Sequence, residues 1–168
     1  MIRFAVTGFA ALLALGLAHP ARAQFCAPPA ALHAPQPTLP TEKLTIIGHD
    51  GKPHLFSVEM ALTPDQQEVG LMMRPSVPAD GGMLFDMGKP PEVQRFWMCN
   101  TIAPLDMVFI RADGTIDSIS ENTVPQSLAT EASRGPVRGV LELAAGTTAR
   151  LGIRVGDKVQ QRIFGNAG

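Results

Sequence analysis

The 168-residue chain has no tyrosine, a single tryptophan (Trp97) and two cysteines, Cys26 and Cys99. Two cysteines permit one bridge, and nothing in their spacing requires it. Charge is sparse and balanced, with 14 basic against 15 acidic residues. That balance gives no reason to expect nucleic acid or an anionic membrane as a partner. A Walker loop, a dinucleotide fingerprint and a nucleophile elbow are all missing, so no cofactor is expected. No internal repeat occurs, and no apolar run reaches the ~18–20 residues that span a bilayer.

The N-terminus, in contrast, has the three parts of a secretory signal. Arg3 supplies the positive start, Phe4 to Leu17 form an apolar run, and His19-Pro20 break it. Ala21-Arg22-Ala23 then places small residues where a signal peptidase reads them. Cleavage is expected after Ala23, with residues 1–23 removed and a periplasmic or secreted product without a stable membrane anchor. A lipoprotein is the rival reading because Cys26 lies near the cut, but Ala23-Gln24-Phe25 does not resemble a lipidation box. The remaining 145 residues favour one domain. Loss of Arg3 and Arg22 leaves 12 basic against 15 acidic residues. Export would also carry both cysteines into a compartment where disulfides persist.

Residues 24–43 read as a Pro/Ala-rich linker that tethers or wraps the domain, since repeated proline removes backbone donors and favours extended chain. Regular structure is expected from Leu44, in a single domain over 44–165. Short β segments with turn signals between them follow. Strands are predicted at Leu44–Ile47, Leu55–Ala61, Gly82–Phe85, Val93–Met98, Met107–Arg111, Thr115–Glu121, Val140–Leu143 and Val159–Phe164. His49 to Pro53 reads as a turn, and Asp113-Gly114 is a hairpin signal. Thr63-Pro64-Asp65-Gln66 predicts a short helix with Thr63 as N-cap, Pro64 at the first position and Gln66 closing a capping box. Thr147–Leu151 reads as a helical turn. No βαβ alternation is visible. The expectation is a mainly β (α+β) domain, a compact and partly closed barrel with one or two short helices.

Several phrases, in this order, resemble the DUF192 family: Val58-Glu59-Met60-Ala61, Gly70-Leu71-Met72-Met73-Arg74, Gly82-Met83-Leu84-Phe85, Phe96-Trp97-Met98-Cys99-Asn100-Thr101, Pro104 to Ile110, Val140-Leu141-Glu142-Leu143 and Gly152 to Asp157. The resemblance runs from about Leu44 to Phe164. It implies a small, mainly β domain, often exported, and carries no known reaction. One position departs from it: Cys99 stands where similar sequences commonly have a basic residue.

The densest strip for chemistry is Phe96 to Asp106. In a strand Phe96 and Met98 face one way and Trp97 the other. Asn100, Thr101 and Asp106 add polar groups in a loop containing Pro104. One reading is a core strand followed by a loop whose polar residues cap backbone groups. The other is an aromatic wall with convergent polar groups, as a small-ligand pocket needs. Arg74 follows an apolar run, and its fork is expected to take Asp106 or Glu142. Glu142 interrupts an apolar strand, facing either water by simple alternation or a buried Arg–carboxylate cluster.

Paired carboxylates, Asp106 with Glu142 or Glu59 with Glu121, would suit a hydrolase acting on envelope glycans. A nucleophilic Cys99 lacks an evident basic partner, and His49, His54 and Cys99 show no metal-ligand spacing, so no metal is expected. Cys99 is expected to bridge Cys26 or to be a small buried thiol. The seven methionines after the signal are scattered through apolar strands, which favours core filling over Cu(I) binding. The leading reading is therefore a monomeric exported module, with its enzymatic status open but leaning against. It would bind a small molecule or an envelope protein around Arg74, Trp97, Asn100, Thr101, Asp106 and Glu142. A carboxylate hydrolase and a structural or protein-interaction domain are the rivals.

Overall fold

Alternation of apolar and polar residues organises the sheet from its first strand, where Leu44 and Ile46 are fully buried between more exposed neighbours. The computed structural model describes residues 34–167; the expected signal segment, Cys26 and the start of the expected linker lie outside them. Nine strands occur among the described residues: β1 (Thr41–Ile47), β2 (Pro53–Ala61), β3 (Gly81–Asp86), β4 (Arg95–Phe96), β5 (Leu105–Ile110), β6 (Ile116–Ser120), β7 (Glu131–Ala132), β8 (Gly139–Ala144) and β9 (Lys158–Gln160). Two short helices, α1 (Pro64–Val69) and α2 (Thr147–Leu151), and a 3-10 turn (Arg162–Phe164) complete them. No helix of the described residues is long and apolar enough to cross a membrane.

Seven strands form one sheet in the order β6-β5-β8-β3-β2-β1-β9, and β4 pairs β7 apart from it. The two edges of the large sheet meet. Ile116 N–H donates to the Asp157 carbonyl at 2.9 Å and Val159 N–H to Gly114 at 2.8 Å. Gly114 is required at this seam, because its φ is +80° and a Cβ there would stand 2.4 Å from the Val159 carbonyl oxygen. The domain is thus mainly β, a nearly closed barrel-like sheet with two short helices, as expected.

Each strand sends alternate side chains to opposite faces. The inner face buries Leu44, Ile46, Phe56, Val58, Met60, Leu84, Val108, Ile110, Leu141 and Leu143. The outer face of β3, β5 and β8 carries Met83, Phe85, Met107, Phe109 and Val140, and is covered by Leu71, Phe96 and Met98 from the connecting segments. Each such side chain, fully buried, contributes roughly 1.5–3 kcal/mol. Methionine is used here as filling in both layers.

Local signals are realised closely. The capping box of α1 is present in both directions: Gln66 N–H donates to Thr63 Oγ1 at 3.3 Å, and Thr63 N–H to Gln66 Oε1 at 3.1 Å. The Asp113-Gly114 turn joins β5 to β6.

Four expectations are corrected. A βαβ unit exists, since β2 and β3 are parallel and α1 lies between them; α1 buries none of its own residues, so it has no apolar stripe to reveal it. The segment predicted as a strand over Val93–Met98 is a strand only at Arg95–Phe96, because it lies over the sheet and pairs with the two residues of β7 alone. The closing strand ends at Gln160; the Gln161 side chain accepts the Ile163 N–H at 2.8 Å and starts the 3-10 turn instead. Regular structure also begins before Leu44, at Thr41, with the Pro40 carbonyl already accepting the Met60 N–H at 3.0 Å.

Candidate functional site

A cleft of about 510 Å3 opens on the outer face of the sheet. One wall is the end of α1 and its continuation, Gln67 to Met72; the other is Gln94 to Trp97 with Cys99 and Thr101. Phe85, Met87 and Glu142 from the sheet side complete it. Local chemistry shapes both walls. Gln67 Nε2 donates to the carbonyls of Ala61 at 3.1 Å and Asp86 at 2.7 Å, tying α1 across the ends of β2 and β3. Gly70 ends the helix with φ +49°, where a Cβ would press on the Phe85 ring at 3.1 Å. The walls are joined where Met73 N–H donates to the Asn100 carbonyl at 2.8 Å, with φ positive at both residues.

Glu142 forms the polar base. Register places it beside Met83 of β3 and Met107 of β5. Both are fully buried thioethers, and Glu142 itself is 5% exposed. No hydrogen bond or ion pair reaches its carboxyl among the described residues. Burial in this apolar setting pushes the carboxyl pKa up to about 8. Glu142 is therefore mainly protonated at neutral pH and able to donate or accept a hydrogen bond in the cleft.

The aromatic strip divides by alternation. Met98 is buried and Phe96 half-buried, its ring edge-on to Phe85 at 5.2 Å and to Phe109 at 6.3 Å. Trp97 turns outward, 58% exposed at the cleft rim. Thr101 is buried, and its hydroxyl donates to the Cys99 carbonyl at 3.3 Å. Of the six residues proposed from sequence, the structure brings Trp97, Thr101 and Glu142 to this cleft.

The other three serve elsewhere. Arg74 takes neither Asp106 nor Glu142. Its guanidinium forks onto Glu59, with Nη1 to Oε1 at 2.5 Å and Nη2 to Oε2 at 2.9 Å, beside a second hollow of about 260 Å3. The reason is placement: Glu59 on β2 faces the loop that follows α1, whereas Asp106 faces the inner side. Asp106 is fully buried and accepts four bonds, from the backbone N–H of Asn122, Gly146 and Thr148 and from Thr148 Oγ1, at 2.7–3.0 Å. It joins the start of α2 to the end of β6. Asn100 holds the joint between the walls, and its amide donates to Cys99 Sγ at 3.4 Å.

Neither proposed carboxylate pair is assembled. Asp106 shares its face with Val108 and Ile110, and Glu142 shares the opposite face with Val140. Glu59 is neutralised by Arg74, while Glu121 accepts from Thr148 Oγ1 at 3.4 Å. Among the described residues no three His, Cys, Asp or Glu side chains converge as metal ligands. Cys99 is disulfide-bonded; the other cysteine of the sequence, Cys26, lies outside the described residues.

Sequence reasoning missed Gln67, Glu68, Gln94 and Arg95, all of which line the cleft. Their signal was weak, because polar residues on a short helix and ahead of an aromatic strip read as ordinary solvated surface. Gly70-Leu71-Met72 did stand out, through the resemblance and as the apolar run ahead of Arg74.

Comparison with known proteins agrees with this architecture. Residues 45–161 match the family described as DUF192, an uncharacterized ACR. A solved structure from Sinorhizobium meliloti, described as a "putative transcription regulator", is 45% identical, with 76% of this chain and 98% of that chain covered and a TM-score of 0.73. A protein of unknown function from Novosphingobium aromaticivorans is 39% identical over 79% of this chain and 94% of that one, with a TM-score of 0.70. Among curated proteins, none matches the sequence.

Proposed function

This chain belongs to the DUF192 family, and we propose that it works as an exported small-ligand-binding or accessory module whose ligand seats in the cleft over Glu142. One observation carries the reading: a carboxyl with no partner among the described residues lies at the base of a cleft of about 510 Å3 walled by aromatic, apolar and polar side chains. Such a hollow has the size and mixture of surfaces that small-molecule sites use. A purely structural carboxyl in this domain looks different, as the four donors on Asp106 illustrate. The carboxylate hydrolase loses its support from Asp106 and Glu142, which lie on opposite faces of the sheet.

The export reading rests on the signal-like residues 1–23 and is supported by the disulfide at Cys99, a bond that persists in oxidising compartments. The regulator label of the Sinorhizobium protein would ask for a basic surface. With 14 basic and 15 acidic residues, we assign no nucleic-acid partner to this chain. A thermal-shift screen of the mature chain with periplasmic metabolites, glycans and anions tests the binding reading. Stabilisation by one class that is lost in Glu142→Gln supports it. A blank screen with every class counts against it. Cell fractionation and sequencing of the mature N-terminus test export, with a start at Gln24 as the expected result.

A further inference from the structure

We infer that the cleft takes a small organic cation, with Glu142 as the group that meets its charge. This rests on the cleft being a ligand site, as proposed above.

Register sets one row of side chains across the outer face: Glu59 on β2, Met83 on β3, Glu142 on β8 and Met107 on β5. The row holds two carboxyls, and only one has a resident cation. Glu59 has the Arg74 fork and also accepts the Leu39 N–H at 2.7 Å. Glu142 lies between two thioethers, which have no proton to donate. An ionised carboxylate is costly in such surroundings unless an opposite charge arrives with it. What the position lacks, compared with its neighbour in the row, is one positive charge, and the cleft is the route by which one can come.

The walls favour the same class of ligand. Phe85, Phe96 and Trp97 line the cleft, and aromatic faces attract cations. Among the described residues the charged groups around it are Glu68 on α1 and Arg95 on β4, both exposed and opposite in sign. From β3 and β5 the neighbours of Glu142 are methionines, and the Glu59–Arg74 pair lies beyond Met83. The charge at the base is thus set by Glu142. Binding is an exchange of charges with no covalent step: the carboxyl releases its proton to solvent, and the resulting carboxylate holds the cation.

The test uses the mature chain and the emission of Trp97, the only tryptophan, which lies at the rim. Three probes of similar size are titrated: tetramethylammonium, whose charge does not depend on pH, neutral tert-butanol and anionic pivalate. Tetramethylammonium is expected to shift the emission saturably, at a concentration at least about tenfold lower than tert-butanol requires, because it gains the charge pairing as well as the contacts. Its affinity is expected to rise about tenfold from pH 7 to pH 9, as a carboxyl held at about 8 ionises. Glu142→Gln is expected to lose both the preference and the pH dependence. Should that variant fail to fold, the pH profile of the unmodified chain decides, and a flat profile overturns the inference. Equal affinity for tert-butanol, or tighter binding of pivalate, also overturns it and leaves the cleft standing as a ligand site of another class. No response to any probe overturns it as well; a thermal-shift screen that is also blank removes the binding reading with it.

Discussion

Glu59 and Glu142 stand on the same face of one sheet, separated by β3 and its Met83. Both are nearly buried, at 8% and 5% exposure. Glu59 is closed in by Arg74 and by a backbone N–H from the segment that precedes β1. Glu142 faces an open cleft with no partner among the described residues, and burial raises its carboxyl pKa to about 8. The same residue type, on the same face, therefore does two jobs, one locking a loop to the sheet and the other leaving a chemical vacancy in a hollow. What separates them is the supply of donors, not depth of burial. Position 99 belongs to this contrast. A disulfide-bonded cysteine lines the cleft there without offering charge.

The largest effect that would break the comparison is removal of the cation from the locked site. Arg74→Ala leaves a carboxylate buried and uncompensated, and is expected to cost about 3–5 kcal/mol in urea unfolding. A loss below about 1 kcal/mol would mean that solvent serves the Glu59 carboxylate once Arg74 is gone, so that the ion pair does not lock the loop to the sheet.

Next is the pH dependence of the open site. The folded-state pKa of Glu142 is raised, from 4.5 to about 8. Between those values the folded protein keeps a proton that the unfolded chain gives up, so this contribution is whole below about pH 4.5 and is lost as pH rises through about 8. A fall on the order of 3 kcal/mol between pH 5 and pH 8 is expected in the unmodified protein, and not in Glu142→Gln. The variant should match the parent near pH 5 and exceed it at pH 8; parallel stability curves would show that Glu142 is solvated and titrates normally.

Asp106 provides the third carboxylate, on the opposite face and with every donor it can use. Asp106→Asn keeps the shape but turns an amide toward backbone N–H groups, at an expected cost of about 2 kcal/mol, read by chemical denaturation. Ligand response at Trp97 should be unchanged by that variant, because Asp106 does not line the cleft.

The smallest effect concerns the cleft wall. Thr63→Ala removes the cap of α1 and should cost about 1 kcal/mol. If α1 forms the wall as described, ligand-induced stabilisation should weaken in that variant by more than the global loss accounts for.

The sequence by itself was sufficient for whatever depends on near neighbours in the chain. The alternation of β1, the capping box of Thr63 and Gln66, the Asp113-Gly114 turn and the outward turn of Trp97 all follow from contacts two to four residues apart. The resemblance carried by ordered phrases such as Phe96 to Thr101 was legible in the same way. Tertiary structure alone decided the site. Arg74 was expected to take Asp106 or Glu142, and the placement of β2 beside the loop after α1 gave it Glu59 instead. In sequence Glu142 reads as an acid inside an apolar strand and Asp106 as one in the loop ahead of a strand, whereas both lie within strands of the folded sheet. Their opposite directions follow from the pairing of β5 with β8, which sets Met107, and not Asp106, beside Glu142. A one-residue change of register would reverse that, because side chains alternate strictly across a sheet. No local pattern encodes a register between strands so far apart in the chain, so whether Glu142 was locked or left open was a question for the folded sheet.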